Sequence, residues 1–216
     1  MNLKDGHKEF QKEIECRGVE YLVHFTTTKN LYSILKLGKV MCRAKLQVLS
    51  FCVHFNDDNR QDDINYINLS LSRPNEFLFK HFRQKYKDDS TRNWCVLKIH
   101  SKHIYHAETR IFHTNAASND SKWHYGNSDN LSKFKNLFKK ELQRNCYDLS
   151  YDLIHRNPNL APNYPTDIQA EIVVKDSIPV ESILEVCFES EEKMAEAKVT
   201  MCLHDTSMFV VDKEMF

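Results

Sequence analysis

Glycine is scarce in this chain, with 4 residues among 216, at positions 6, 18, 38 and 126. Neither Gly-rich phosphate cradle, G-x-G-x-x-G or G-x-x-x-x-G-K-S/T, can be written with them, so a bound nucleotide must be held in another way. The 7 cysteines, at 16, 42, 52, 95, 146, 187 and 202, contain no C-x-x-C pair and are odd in number. Without a secretory signal they read as free thiols of a reducing compartment, which excludes a disulfide scaffold. The opening MNLKDGHKEFQKEIE is too charged for such a signal. No run approaches the roughly 18 uncharged residues that a membrane-spanning helix needs. A cytoplasmic protein with no membrane partner is expected. H-E-x-x-H and G-x-S-x-G are both missing. His100, His103 and His106, with His113 beyond and Cys95 as a conceivable further ligand, lack the flanking carboxylates or cysteines of a closed zinc site, so no metal is expected.

What the chain has is ordinary globular composition: 41% hydrophobic and 28% charged residues. That suits one domain over 1–216, with a core at about 19–188 and an acidic C-terminal extension at 189–216. The formal net charge of zero hides an asymmetry. Residues 176–216 hold ten acidic against three basic side chains, so the body before them is basic by the same excess. Such a body could meet an anionic partner on one side, or simply carry an uneven solvated surface.

Phe10 and Ile14, at i and i+4 among charges, predict a short amphipathic helix that Gly18 ends. Val19 to Phe25 is β-branched and aromatic, hence a strand. Thr26 to Thr28 supply a cap for a helix through Leu31, Ile34 and Leu35 that stops at Gly38. Residues 51–65 are polar and turn-rich. Strands are predicted over 64–71, 94–100 and 168–174, and a helix begins at Pro74 and runs to about Tyr86. Segment 113–130 reads as a long polar loop. The stripe Leu131, Phe134, Leu137, Phe138 and Leu142 predicts a basic helix over 131–144, and 155–168 is irregular. This order, without βαβ regularity, is α+β.

Gln169 and Glu171 stand two apart in an otherwise apolar strand, so both side chains should leave one face. A carboxylate there is either on a solvated edge or aimed into a cleft, since burial without partners is costly. His24, at the end of the first strand beside the Thr26–Thr28 cap, is either a satisfied structural residue or a ligand-binding one. The basic helix, with Arg83, Lys85, Lys87 and Arg92 and the aromatics Trp123 and Tyr125, suits a phosphate backbone and stacked bases, or else is a solvated face.

The order of these pieces resembles the ADP-ribosyltransferases: His24 in VHFTTTKNLYSIL, Ser70-Leu71-Ser72 in INLSLSRPNEF, and Gln169-Ala170-Glu171 in PTDIQAEIVV. From about Val19 to Cys187 the chain is more specifically similar to the DarT family of DNA-modifying toxins. The similarity lies in H-F-T-x-x-x-N-L-x-S-I-L, in N-D-x-x-R-x-D at Asn56, Asp57, Arg60 and Asp62, in L-S-x-S-x-P-N-x-F, in Asn115–Ser118 and in Q-A-E-I-V-V. The resemblance implies an ADP-ribosyltransferase-like fold, with a mixed, mainly antiparallel split sheet flanked by helices. It implies NAD as co-substrate, and transfer of ADP-ribose to a base of single-stranded DNA. The wording of N-D-x-x-R-x-D and S-x-P-N inclines toward guanine rather than thymine. An antitoxin that removes the mark is the implied partner. The same resemblance assigns catalysis to Glu171 and Arg60 and NAD binding to His24, Thr26, Asn30, Arg60, Ser70, Leu71 and Ser72. Acceptor contacts fall to Gln169, Asn115, Lys135, Lys139 and Lys140.

Overall fold

Successive residues of a strand face opposite sides of its sheet. In this protein both neighbours are buried: Leu22 and Val23, Val96 and Leu97, Ile172 and Val173. A sheet apolar on both faces must be covered on both. The computed structural model, which describes residues 2–49, 62–118, 130–145 and 151–216, shows how this is done.

Eleven strands are described: β1 (Tyr21–Thr27), β2 (Lys39–Met41), β3 (Tyr66–Leu71), β4 (Trp94–His100), β5 (Arg110–Phe112), β6 (Glu141–Asn145), β7 (Tyr151–His155), β8 (Glu171–Lys175), β9 (Ser177–Pro179), β10 (Ile183–Phe188) and β11 (Phe209–Val211). The helices are α1 (His7–Arg17), α2 (Thr28–Leu37), α3 (Arg43–Val48), α4 (Glu76–Lys85), α5 (Leu131–Asn136) and α6 (Glu191–Thr200). Seven strands form the main sheet in the order β11-β10-β4-β1-β3-β8-β5. Every pairing is antiparallel except β10 with β11. On one face Leu22, Leu97 and Ile172 meet Phe10 and Ile14 of α1, Leu31 and Ile34 of α2, Phe134 of α5 and Ala197 of α6. On the other, Val23, Val96 and Cys187 meet Phe79 of α4 and Met215.

Local signals set the helix ends. Thr27 caps α2 by accepting from the Asn30 amide, an interaction worth about 1 kcal/mol. Gly38 closes that helix at φ 68°, in the left-handed region that only glycine enters freely. Asn75, directly after Pro74, caps α4 by accepting from Leu78 N.

The sheet is split in its middle. β1 and β3 are in register only at Leu22 with Leu71 and Val23 with Ser70. Beyond that point the strands part, and the His24 ring reaches across to the Asn68 carbonyl at 3.0 Å.

The acidic C-terminal segment joins this same sheet through β11. Lys98 donates to Glu185 and Asp212, both at 2.8 Å. Burial alone would lower the Lys98 pKa, but the two carboxylates outweigh it and hold the ammonium above its ordinary value. Arg83 pairs with both oxygens of Glu189. Part of the segment's negative charge therefore neutralises cations of the body.

The expected helix over 131–144 is shorter than its stripe. It ends at Asn136, and Glu141–Asn145 pairs with Tyr151–His155 as a hairpin. Phe134, Leu137, Phe138 and Leu142 are nonetheless all buried. The reason lies in the carbonyls. Those of Leu137 and Lys139 accept from Thr166, at 2.7 and 2.6 Å, and that of Lys140 accepts from Arg156 N at 2.7 Å. Donors from a distant segment replace the next helical turn, so tertiary contacts override local propensity.

The irregular stretch 155–168 is likewise a built turn. The Arg156 guanidinium donates to the carbonyls of Leu160, Ala161 and Tyr164 and to Thr166 Oγ1. Arg156→Ala should therefore lower stability by about 2 kcal/mol, the scale of losing charge-assisted hydrogen bonds. Denaturant melts check this, and an unchanged midpoint would mean that water replaces the guanidinium without cost.

Candidate active site

Where β1 and β3 part, a cleft of about 210 Å³ opens, lined by β1, α2, β2, α3, β3, α4 and the first residue of β8. Its polar groups include His24, Thr26, Asn30, Asn68, Ser70, Asn75 and Glu171, with Lys39 and Arg43 as cations. Phe25, Ile34, Leu46 and Phe82 add apolar surface. Cations, hydroxyl-binding groups and flat apolar walls together suit a nucleotide.

Glu171 is the first residue of β8 and is 3% exposed. β8 lies between β3 and β5, so the solvated-edge alternative is excluded. A buried carboxylate needs donors. Its Oε2 accepts from the Ala116 amide at 2.8 Å and from Asn68 Nδ2 at 3.3 Å. Asn68 Nδ2 also donates to Asp62 Oδ2 at 2.8 Å. Asn115 shapes the turn that supplies the first donor: its Oδ1 accepts from Ala117 N, and its carbonyl accepts from Ser118 N.

His24 is fixed by the same strand. A carbonyl only accepts, so Nδ1 carries the hydrogen bonded to Asn68 O, and Nε2 is the acceptor of the neutral ring. Asn30 Nδ2 donates to Thr26 Oγ1 at 3.2 Å, tying α2 to the end of β1. Ser70 pairs with Glu171 across the sheet, and its hydroxyl accepts from Asn75 N, which fixes the turn into α4.

Several expected positions lie elsewhere. Leu71 points into the core, and the buried Ser72 donates to the Asn163 carbonyl at 3.1 Å with φ at 57°; neither lines the cleft. Gln169 does not share a strand face with Glu171. The Asp167 side chain accepts from Gln169 N and its carbonyl from Ala170 N, so a turn occupies 167–170 and the strand begins only at Glu171. Lys135 is paired with Glu13 of α1 at 3.4 Å, while Lys139 and Lys140 are exposed in the link between α5 and β6. Arg83 and Arg92 are paired with Glu189 and Asp89. Arg60, Asn56, Asp57, Trp123 and Tyr125 lie outside the described residues.

Asn68 is the residue that sequence reasoning missed. Its signal was present: Tyr66, Asn68 and Ser70 alternate with Ile67, Leu69 and Leu71, so one strand carries a polar and an apolar face. Lys39 and Arg43 carried no signal beyond their charge.

Among the described residues no group of three or more His, Cys, Asp or Glu is placed to hold a metal. No helix among them is long and apolar enough to cross a membrane. Of the histidine series, one member turns inward. His103 is fully buried, with its Nδ1 3.2 Å from that of His106. Burial first, then His106 and Lys102, pushes its pKa down to about 3.

A family model described as "ssDNA thymidine ADP-ribosyltransferase, DarT" matches residues 23–216. No curated protein matches the chain. Among solved structures, Thermus sp. 2.9 DarT in complex with NAD+ is 12% identical with a TM-score of 0.59, over 92% of this chain and 98% of that one. The same Thermus protein in complex with ADP-ribosylated ssDNA gives 11% and 0.58, over 92% and 97%. Thermosipho africanus DarTG in complex with ADP-ribose gives 16% and 0.55, over 91% of this chain and 51% of that one. At these identities the likeness is one of fold.

The depressed His103 pKa has a pH consequence. Between an unfolded value of about 6.5 and the folded value of about 3, only the unfolded chain binds this proton. Stability should therefore fall as pH drops through that window and level off below it. His103→Gln should flatten this part of the melting profile, and an unchanged slope would assign acid sensitivity to other groups.

Proposed function

The chain belongs to the DarT family of NAD-dependent ADP-ribosyltransferases acting on single-stranded DNA, and from that premise we propose that its cleft binds NAD and transfers ADP-ribose to a DNA base, with Glu171 as the catalytic carboxylate. The observation that carries the assignment is the burial of Glu171, held by Ala116 N and Asn68, in the opening beside His24.

Glu171 accepts from the 2′-hydroxyl of the nicotinamide-side ribose and faces C1′. As the bond from C1′ to nicotinamide breaks, nicotinamide leaves with the electron pair and the sugar becomes cationic. A fixed negative charge then stabilises the transition state more than the ground state. A ring or exocyclic nitrogen of the base forms the new bond to C1′ and releases its proton to water. His24 Nε2 accepts from a hydroxyl of the adenosine-side ribose, and Thr26 and Asn30 shape the turn beside it. Lys39 and Arg43 supply positive charge for the pyrophosphate. Ser70 supports the nicotinamide side. Arg60 holds the pyrophosphate or orients the acceptor base. The Thermus protein's complexes with NAD+ and with ADP-ribosylated ssDNA support this reading by their shared fold.

For the acceptor, the wording of residues 56–62 and 72–75 favours guanine, whereas the family is described by thymidine. Gln169 and Asn115 border the segment from which the base would approach, with Lys139 and Lys140 offering phosphate contacts. A base must leave its stack to reach a sugar carbon, which fits single-stranded substrate. The biological role proposed is that of a toxin, paired with an antitoxin that removes the mark.

Labelled NAD with single-stranded oligonucleotides tests the reading. Label should appear on DNA and fall roughly 100-fold or more in Glu171→Ala. Label retained in that variant would remove Glu171 from the chemistry. Mass analysis of the labelled nucleoside separates guanine from thymine. Arg60→Ala should lose activity with an unchanged melt, and a collapsed melt would argue for a structural role. Neutralising Lys139 and Lys140 should reduce the slope of log affinity against log salt by about 0.7 for each phosphate that then goes unneutralised. An unchanged slope would take the α5–β6 link out of the DNA path.

A further inference from the structure

One side-chain amide serves two carboxylates beside the cleft. Asn68 Nδ2 donates to Asp62 Oδ2 at 2.8 Å and to Glu171 Oε2 at 3.3 Å. An NH2 group has two hydrogens, so it can bridge both anions at once. Without that bridge, like charges on one side of a low-dielectric opening would repel, and Glu171 would keep only the Ala116 amide among these donors. The same residue's carbonyl takes the His24 hydrogen at 3.0 Å. Asn68 lies on β3, anchored by the ladder that pairs it with Val173 of β8. His24 and Glu171 are thus both tied to one strand position.

We propose that Asn68 is the positioning residue of the transfer reaction, with Asp62 anchoring its amide so that the second hydrogen points at Glu171. This rests on the reading of Glu171 as the catalytic carboxylate. Asn68 touches no reacting atom in this scheme. It sets the angle at which the carboxylate meets the ribose, and Asp62 prevents the amide from turning over. A misplacement of about 1 Å in such a group costs roughly 100-fold in rate.

The test compares wild type, Glu171→Ala, Asn68→Ser, Asn68→Asp and Asp62→Ala in the labelled-NAD assay, with a melt of each variant. Asn68→Ser should lose roughly 100-fold in kcat while KM for NAD moves by less than about threefold, because ground-state binding is largely kept. Asp62→Ala should follow in the same direction. Asn68→Asp replaces both donors by a carboxyl that two anions hold above its ordinary pKa. As pH falls this carboxyl takes a proton and regains one donor. Its kcat relative to wild type should therefore recover toward acid, while that of Asn68→Ser stays flat. A lost fold would not produce that recovery.

An active wild type, a dead Glu171→Ala and a fully active Asn68→Ser would overturn this proposal and leave the proposed function standing. A pH-independent loss in Asn68→Asp, tracking a lowered melt, would also overturn it. A wild type that labels no oligonucleotide would overturn both.

Discussion

Everything at this site depends on holding one carboxylate in place where water is nearly excluded. At 3% exposure Glu171 would cost several kcal/mol without donors. Among the described residues, donors come from the backbone of the 115–118 turn and from the Asn68 side chain of β3. Neither is adjacent to Glu171 in sequence. The sheet order brings them together, because β8 lies between β3 and β5 and Asn115–Ser118 follows directly after β5. The sheet is thus built to hold one buried anion at this position.

The opening of the sheet is the second constraint. Two strands that stayed paired along their length would leave no room for a substrate. β1 pairs fully with β4 over seven positions but with β3 over only two. The freed half of β1 therefore presents His24 and Thr26 to the cleft instead of to a neighbouring strand. The His24–Asn68 bond satisfies a carbonyl that the parted ladder leaves exposed, so the opening does not strand it.

Much of this was legible in the residues. Phe10 with Ile14, the threonine cap with Gly38, and the β-branched run before it predict α1, α2 and β1 to within two residues. Position Glu171 and the cleft residues His24, Thr26, Asn30 and Ser70 follow from the motif wording that carries the family resemblance. What was not legible depended on partners far away in the chain. Leu137, Lys139 and Lys140 look helical until Thr166 and Arg156 take their carbonyls. Gln169 looks like a strand residue until Asp167 folds a turn around it. Asn68 could have been found from alternation alone, since a polar face within a buried strand demands partners. Ser72 falls outside the cleft because its hydroxyl serves the Asn163 carbonyl, a contact 91 positions away.

The borrowed carbonyls bind three pieces of chain into one unit. The link after α5, the end of the hairpin at Arg156 and the turn that leads to Glu171 share their hydrogen bonds. Exchange of that turn alone with a relative's would strand two acceptors in the link, the carbonyls of Leu137 and Lys139, and unseat the guanidinium. Loop grafts meant to redirect acceptor choice in this protein must therefore carry residues 137–166 as a block, and natural drift in one piece must be matched in the others.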